Sequence, residues 1–260
     1  MNTSLKRLVL GVLTLTFFTL TLAACGGGGG SAPANTPPPI VVDAKPGGLW
    51  VGQTTNDAQP GIVQDFFGVT TDSGEFRFLS LDTLGQFIGT LTVDGNNVTG
   101  TGLGWAPIGF TWTDGSVITS VNISATVTER QQFSGSWSTG TGESGTLTFS
   151  YSNFHQRSST FAKLSANWFF TDGFFSITIS VDGSGIITGS DTDGCVYAGQ
   201  ATIPDSNFNT YSLSFDLTSC GAFNGLYSGL AVMDDDVVQD DTLIVTVDNG
   251  SVAIILPMSR

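Results

Sequence analysis

The chain has 260 residues, with 34 glycines, 19 phenylalanines and eight lysines and arginines against 22 aspartates and glutamates, a formal net charge of −14. That balance excludes a nucleic-acid partner, because phosphate binding requires clustered basic residues. A zinc site is not expected, because one histidine together with Cys195 and Cys220, read as a disulfide, cannot make the usual ligand set, and nothing in the sequence calls for a cofactor.

The chain opens with a polar start carrying Lys6 and Arg7, an apolar run from Leu8 to Leu22, and the small residues Ala23 and Ala24. This is the layout of an export signal, and its apolar run is shorter than the roughly 18 to 20 residues of a membrane-spanning helix. Leu22, Ala23, Ala24 and Cys25 together resemble the lipobox of bacterial lipoprotein precursors. The resemblance implies that residues 1–24 are a removable signal peptide and that Cys25 carries a diacylglycerol and an acyl chain such as palmitate. Gly26, where an aspartate would retain such proteins in the inner membrane, implies sorting to the outer membrane, with the protein facing the periplasm or the cell surface. Two or three acyl chains hold a soluble domain stably where one would not. Residues 25–46 then read as a tether: the glycines after Cys25 are flexible and "PANTPPP" favours extended polyproline II. Fully stretched, such a tether spans roughly 70 Å. Lys6 and Arg7 leave with the signal, so the remaining chain is more acidic still and is repelled by an anionic lipid surface.

From residue 47 onward the apolar period is two and no helix pattern is convincing. "SVNISATV" puts Val121, Ile123, Ala125 and Val127 on one strand face, and "YSLSFDL" does so with Tyr211, Leu213, Phe215 and Leu217. Two β units are expected, 47–157 and 158–260. "TVDGNNVTG" (92–100) resembles "SVDGSGIITG" (180–189), "FSGSWS" (133–138) resembles "FNGLYS" (223–228), and "TLTFSYSN" (146–153) resembles "TLIVTVDN" (242–249); Trp50 and Trp168 open the halves. An internal duplication follows. Each unit has room for seven or eight short strands joined by Asp-Gly, Asn-Asn or Ser-Gly turns. The fold class is therefore all-β: two small antiparallel up-and-down barrels, or sandwiches, with closure favoured because it removes exposed edges. Membrane-spanning barrels require strands of about 9 to 11 residues and aromatic girdles, which these segments lack.

The candidate site residues are few. "WAPIGFTW" sets Trp105, Phe110 and Trp112 on a loop, where they would stack on sugars, grip an apolar ligand or plug a barrel end. His155, between the units in "SNFHQRS", reads as a surface residue, and no Gly-x-Ser-x-Gly elbow accompanies it. The midpoint between Cys195 and Cys220 falls within "PDSNFN", so a hairpin there would pair them in a disulfide worth roughly 3 to 4 kcal/mol. In that register the bridge falls outside the core or at a strand end. Asp234, Asp235, Asp236, Asp240 and Asp241 in "DDDVVQDD" supply oxygen atoms suited to calcium, but read better as a solvated acidic loop. The sequence thus points to a non-enzymatic envelope module, held to a membrane through Cys25, that binds a ligand, a glycan or a basic protein. A structural scaffold without a small ligand is the alternative. Lipid anchor, tether and paired barrels together look like two-barrel surface lipoproteins of Gram-negative bacteria, including those that bind transferrin or complement factor H.

Overall fold

The computed structural model describes residues 42–107 and 109–260; Cys25, the signal segment and the tether as far as residue 41 lie outside the described residues. Barrel 1 comprises β1 (Gly48–Thr55), β2 (Val63–Thr70), β3 (Glu75–Ser80), β4 (Gln86–Asp94), β5 (Asn97–Trp105), β6 (Ile118–Thr128), β7 (Gln132–Thr139) and β8 (Ser144–Tyr151). Barrel 2 comprises β9 (Ala166–Asp172), β10 (Phe175–Val181), β11 (Ile186–Asp191), β12 (Val196–Thr202), β13 (Tyr211–Thr218), β14 (Gly225–Asp234), β15 (Thr242–Asp248) and β16 (Ala253–Ser259). Within each barrel every strand pairs antiparallel with the next, and both sheets close: Trp50 of β1 sits opposite Tyr151 of β8, and Phe169 of β9 opposite Ser259 of β16. The expected pair of up-and-down barrels is the fold.

Period-two patterning sets which face goes in. In β6, Val121, Ile123 and Val127 are buried while Ser120, Asn122, Ser124 and Thr126 are exposed. That is the inverse of a lipid-spanning barrel, whose outer wall is the apolar one. Among the described residues no helix is long and apolar enough to cross a membrane.

The duplication is legible in the first strand of each barrel. Trp50 and Trp168 are fully buried, and each donates its indole N–H to the carbonyl four residues earlier, Pro46 at 3.3 Å and Leu164 at 2.8 Å. Other matching segments sit on strands that are not equivalent: residues 92–100 span the β4–β5 turn of barrel 1, whereas residues 180–189 span the β10–β11 turn of barrel 2. Hairpin chemistry repeats wherever a tight turn is needed, so these likenesses mark turns rather than positions. Residues 43–46, expected as the end of the tether, are docked on the base of barrel 1. Ala44 N donates to Gly95 O at 2.8 Å, Asp43 accepts from Gly95 N at 2.8 Å, and Lys45 pairs with Asp72 at 3.2 Å.

The barrels also pack against each other. Leu49, Phe67, Val69, Leu79 and Leu81 on the outer wall of barrel 1 meet Leu230, Val232 and Ile244 on the outer wall of barrel 2 in a buried apolar cluster. Arg77, 6% exposed, bridges the seam, reaching Asp248 at 2.8 Å and Glu75 at 3.0 Å. His155 is not on the surface as its polar setting suggests: it is 3% exposed, in a single 3-10 turn (Asn153–Gln156) between the barrels. Its ring stacks on Phe208 of barrel 2 at 4.5 Å, and its Nδ1 lies 2.9 Å from the hydroxyl of Tyr151 in barrel 1.

Candidate functional site

Barrel 1 is open at one end. The connections β1–β2, β3–β4, β5–β6 and β7–β8 surround a cavity of about 550 Å³, within the roughly 300 to 1,000 Å³ usual for small-molecule sites. Its walls are aromatic and aliphatic: Phe66, Phe78, Phe87 and Phe149 come from the strands and Trp137 from β7. Beside this cavity β5 turns Gly100 and Gly104 towards the interior, and side chains of the neighbouring strands and loop close over them. A Cβ on Gly100 would meet Leu91 and Ile123, and one on Gly104 would meet Val121, Trp112 and Phe87 at 3.0 to 3.2 Å. No side chain from this stretch of β5 fills the mouth.

All three aromatic residues expected to act together do line this cavity. Trp105, at the end of β5, is 7% exposed, and its indole N–H has no acceptor among the described residues. Trp112 is half-buried, packs edge-on to Phe87 at 6.1 Å and donates to Gly104 O at 3.2 Å. Phe110 stands at the lip, 68% exposed. The loop they occupy is fixed at its far side by Glu143 of the β7–β8 turn, whose Oε1 accepts from Thr113 N at 3.2 Å and whose Oε2 accepts from Thr139 at 2.6 Å and from Thr141. Burial pushes the Glu143 carboxyl up, but these hydrogen bonds together outweigh it and hold the group at about 2. Glu143 therefore carries a negative charge in the cavity wall throughout the physiological range. Sequence reading missed Glu143 and the strand phenylalanines; alternate glycines in "VTGTGLG" were the available signal.

Other candidate residues lie elsewhere. Cys195 and Cys220 are bonded to each other where the β11–β12 and β13–β14 connections meet. The bridge is at the strand end, as the register implied, but Cys195 is buried against the core of barrel 2. Ser219, with φ of 61°, breaks the alternation just before Cys220 and turns it towards its partner. Among the described residues Asp191 is the carboxylate close to both sulfur atoms, which are already spent on the bridge.

The acidic loop after β14 is organised by basic residues of this chain. Arg157 holds Asp235 with two bonds, at 2.7 and 2.8 Å, and reaches Asp240 at 3.3 Å, with Lys163 3.6 Å from Asp240. Asp241 accepts the backbone N–H groups of Asp236, Val237 and Val238. Burial pushes the Asp234 carboxyl up to about 6. Asp235, Asp240 and Asp241 thus close the loop with internal partners, and Asp234 and Asp240 are buried rather than solvated.

No protein-family model and no curated protein matches the chain. Among solved structures, a "putative outer membrane protein" of Bacteroides fragilis matches at 11% identity, covering 82% of this chain and 94% of that one, with a TM-score of 0.30. Immune modulator A of Aeromonas veronii matches at 10% identity, covering 84% and 96%, with a TM-score of 0.35. At these values the likenesses carry no argument about what this chain does.

Proposed function

We propose that this chain is a lipid-anchored, non-enzymatic module of the bacterial outer membrane whose first barrel takes up a small, largely apolar ligand. The observation that carries the reading is the aromatic-walled cavity at the mouth of barrel 1. Burying an apolar ligand there gains roughly 25 cal/mol per Å² of surface removed from water. The topology suits an anchored protein: the chain enters β1 at the base, and the mouth lies at the opposite end of that strand. Barrel 2, its interior filled by its own side chains, contributes an acidic outer surface in this reading, which suits a basic protein or a glycan.

A neutral fluorophore, N-phenyl-1-naphthylamine, tests the cavity. Titration gives a saturable fluorescence rise in the wild type, which the Trp105→Ala, Trp112→Ala variant loses. A wild type without saturable binding, or a variant that binds identically, overturns the reading. For the anchor, Cys25→Ser releases the protein from the membrane fraction, and retention there contradicts acylation at that sulfur.

A further inference from the structure

The charge around the mouth is as one-sided as its walls are apolar. Glu143 and Asp82 line the cavity, and Asp57 and Asp114 stand in the neighbouring connections. Each is satisfied by uncharged donors alone: Asp57 by Ser144 at 2.7 Å, Asp82 by the backbone N–H of Asp65 at 2.7 Å, Asp114 by the backbone N–H of Ser116 at 2.9 Å, and Glu143 by its three threonines. Such bonds leave the negative charges without a neutralising cation.

Every basic residue among the described ones is committed elsewhere. Lys45 pairs with Asp72 at the base, Arg77 with Glu75 and Asp248 at the seam, and Arg130 with Glu129. Arg157 and Lys163 close the acidic loop of barrel 2, and Arg260 lies over Trp168. None of them lines the cavity. A concave, low-dielectric site walled by one sign of charge concentrates its field in the opening, and aromatic faces add attraction for a cation that they deny to an anion.

We propose, resting on the ligand-binding reading above, that the occupant of barrel 1 is a cationic amphiphile: an apolar body within the cavity and one ammonium-type head at the mouth beside Glu143, Asp82 and Trp112. Fatty acids and other anionic amphiphiles, which the same apolar walls would otherwise accept, are rejected by charge. Specificity here comes as much from the repulsion of the wrong head as from attraction of the right one.

Three ligands with the same chain separate these terms. Decyltrimethylammonium, decanol and decanoate, each below its aggregation threshold, compete with bound N-phenyl-1-naphthylamine. The cation displaces the fluorophore at about tenfold lower concentration than decanoate, with decanol between them. Added salt narrows the gap, as it does for charges near solvent. Glu143→Gln and, independently, Asp82→Asn each reduce the cation-over-anion ratio severalfold; the second variant is informative even if the first loosens the β5–β6 loop. Equal displacement by all three ligands, or a preference for decanoate, overturns the charge proposal while leaving the apolar cavity standing. A fluorophore that never binds removes both.

Discussion

The fifth strands of the two barrels, β5 and β13, occupy equivalent places in the meander and present opposite inner faces. Behind Val98, β5 turns Gly100, Gly102 and Gly104 inward, whereas β13 turns Tyr211, Leu213, Phe215 and Leu217 inward, all of them buried. One barrel is left hollow at its mouth and the other is packed through, with Phe215 stacked on Tyr227 at 5.9 Å and the Cys195–Cys220 bridge across the end. A closed eight-stranded sheet has an interior that side chains can just fill, and a strand whose inward residues are glycines adds no side chain to that filling. The same scaffold thus gives a container and a solid body.

The largest expected effect lies in the solid one. Phe215→Ala removes a ring 2% exposed from a filled interior and costs about 3 to 5 kcal/mol, read as a fall in the thermal or denaturant midpoint. Phe87→Ala, at a position already bordering empty space, costs about 1 to 2 kcal/mol. Equal losses would break the comparison, because they would mean that the mouth of barrel 1 is as tightly packed as barrel 2.

Next comes the junction. Burial holds the His155 imidazole down to about 4, with Arg130 adding to the effect and Asp72 and Asp205 opposing it. The folded protein therefore prefers neutral histidine. Stability from this group is complete above the ordinary value of about 6.5 and is lost as pH falls through 4, a difference of roughly 3 kcal/mol. Asp234, raised to about 6, acts in the opposite sense: its contribution is present at low pH and lost as pH rises from about 4 to 6. Between pH 7 and 4 these two contributions largely offset each other in the wild type, so the denaturant midpoint of His155→Gln, which lacks the histidine contribution, should rise relative to wild type as pH falls. A variant profile parallel to that of the wild type would mean that His155 makes no such contribution.

The smallest effect sharpens the comparison from the other side. Gly104→Leu places a side chain against Val121, Trp112 and Phe87, giving β5 one of the inward residues that β13 has. Fluorophore affinity should drop about tenfold, roughly 1.4 kcal/mol, with the β circular-dichroism signal retained. Undiminished binding would show that the ligand does not use this part of the mouth.

Much of the fold was legible from period two and turn residues. The alternation in "SVNISATV" and "YSLSFDL" fixed the inner faces of β6 and β13, and the paired cysteines fixed the β12–β13 hairpin. The aromatic loop was legible because two tryptophans between glycines make a poor strand. The seam between barrels was not, although its trace is in the sequence. "FFGV" and "LAVM" break alternation with near-continuous apolar runs, which is how strands covered on both faces read. Which runs meet, and that His155 is closed between them, depends on contacts over more than a hundred residues.

Local chemistry along the chain, a two-residue period with glycine and aspartate at the turns, is sufficient to dictate strands and hairpins, whereas closure into two barrels was decided by the tertiary structure. The hollow mouth, its unbalanced carboxylates and the buried junction are properties of closure. A glycine is a missing wall only when seven other strands surround it, and a carboxylate goes without a cation only once the fold has sent every cation elsewhere.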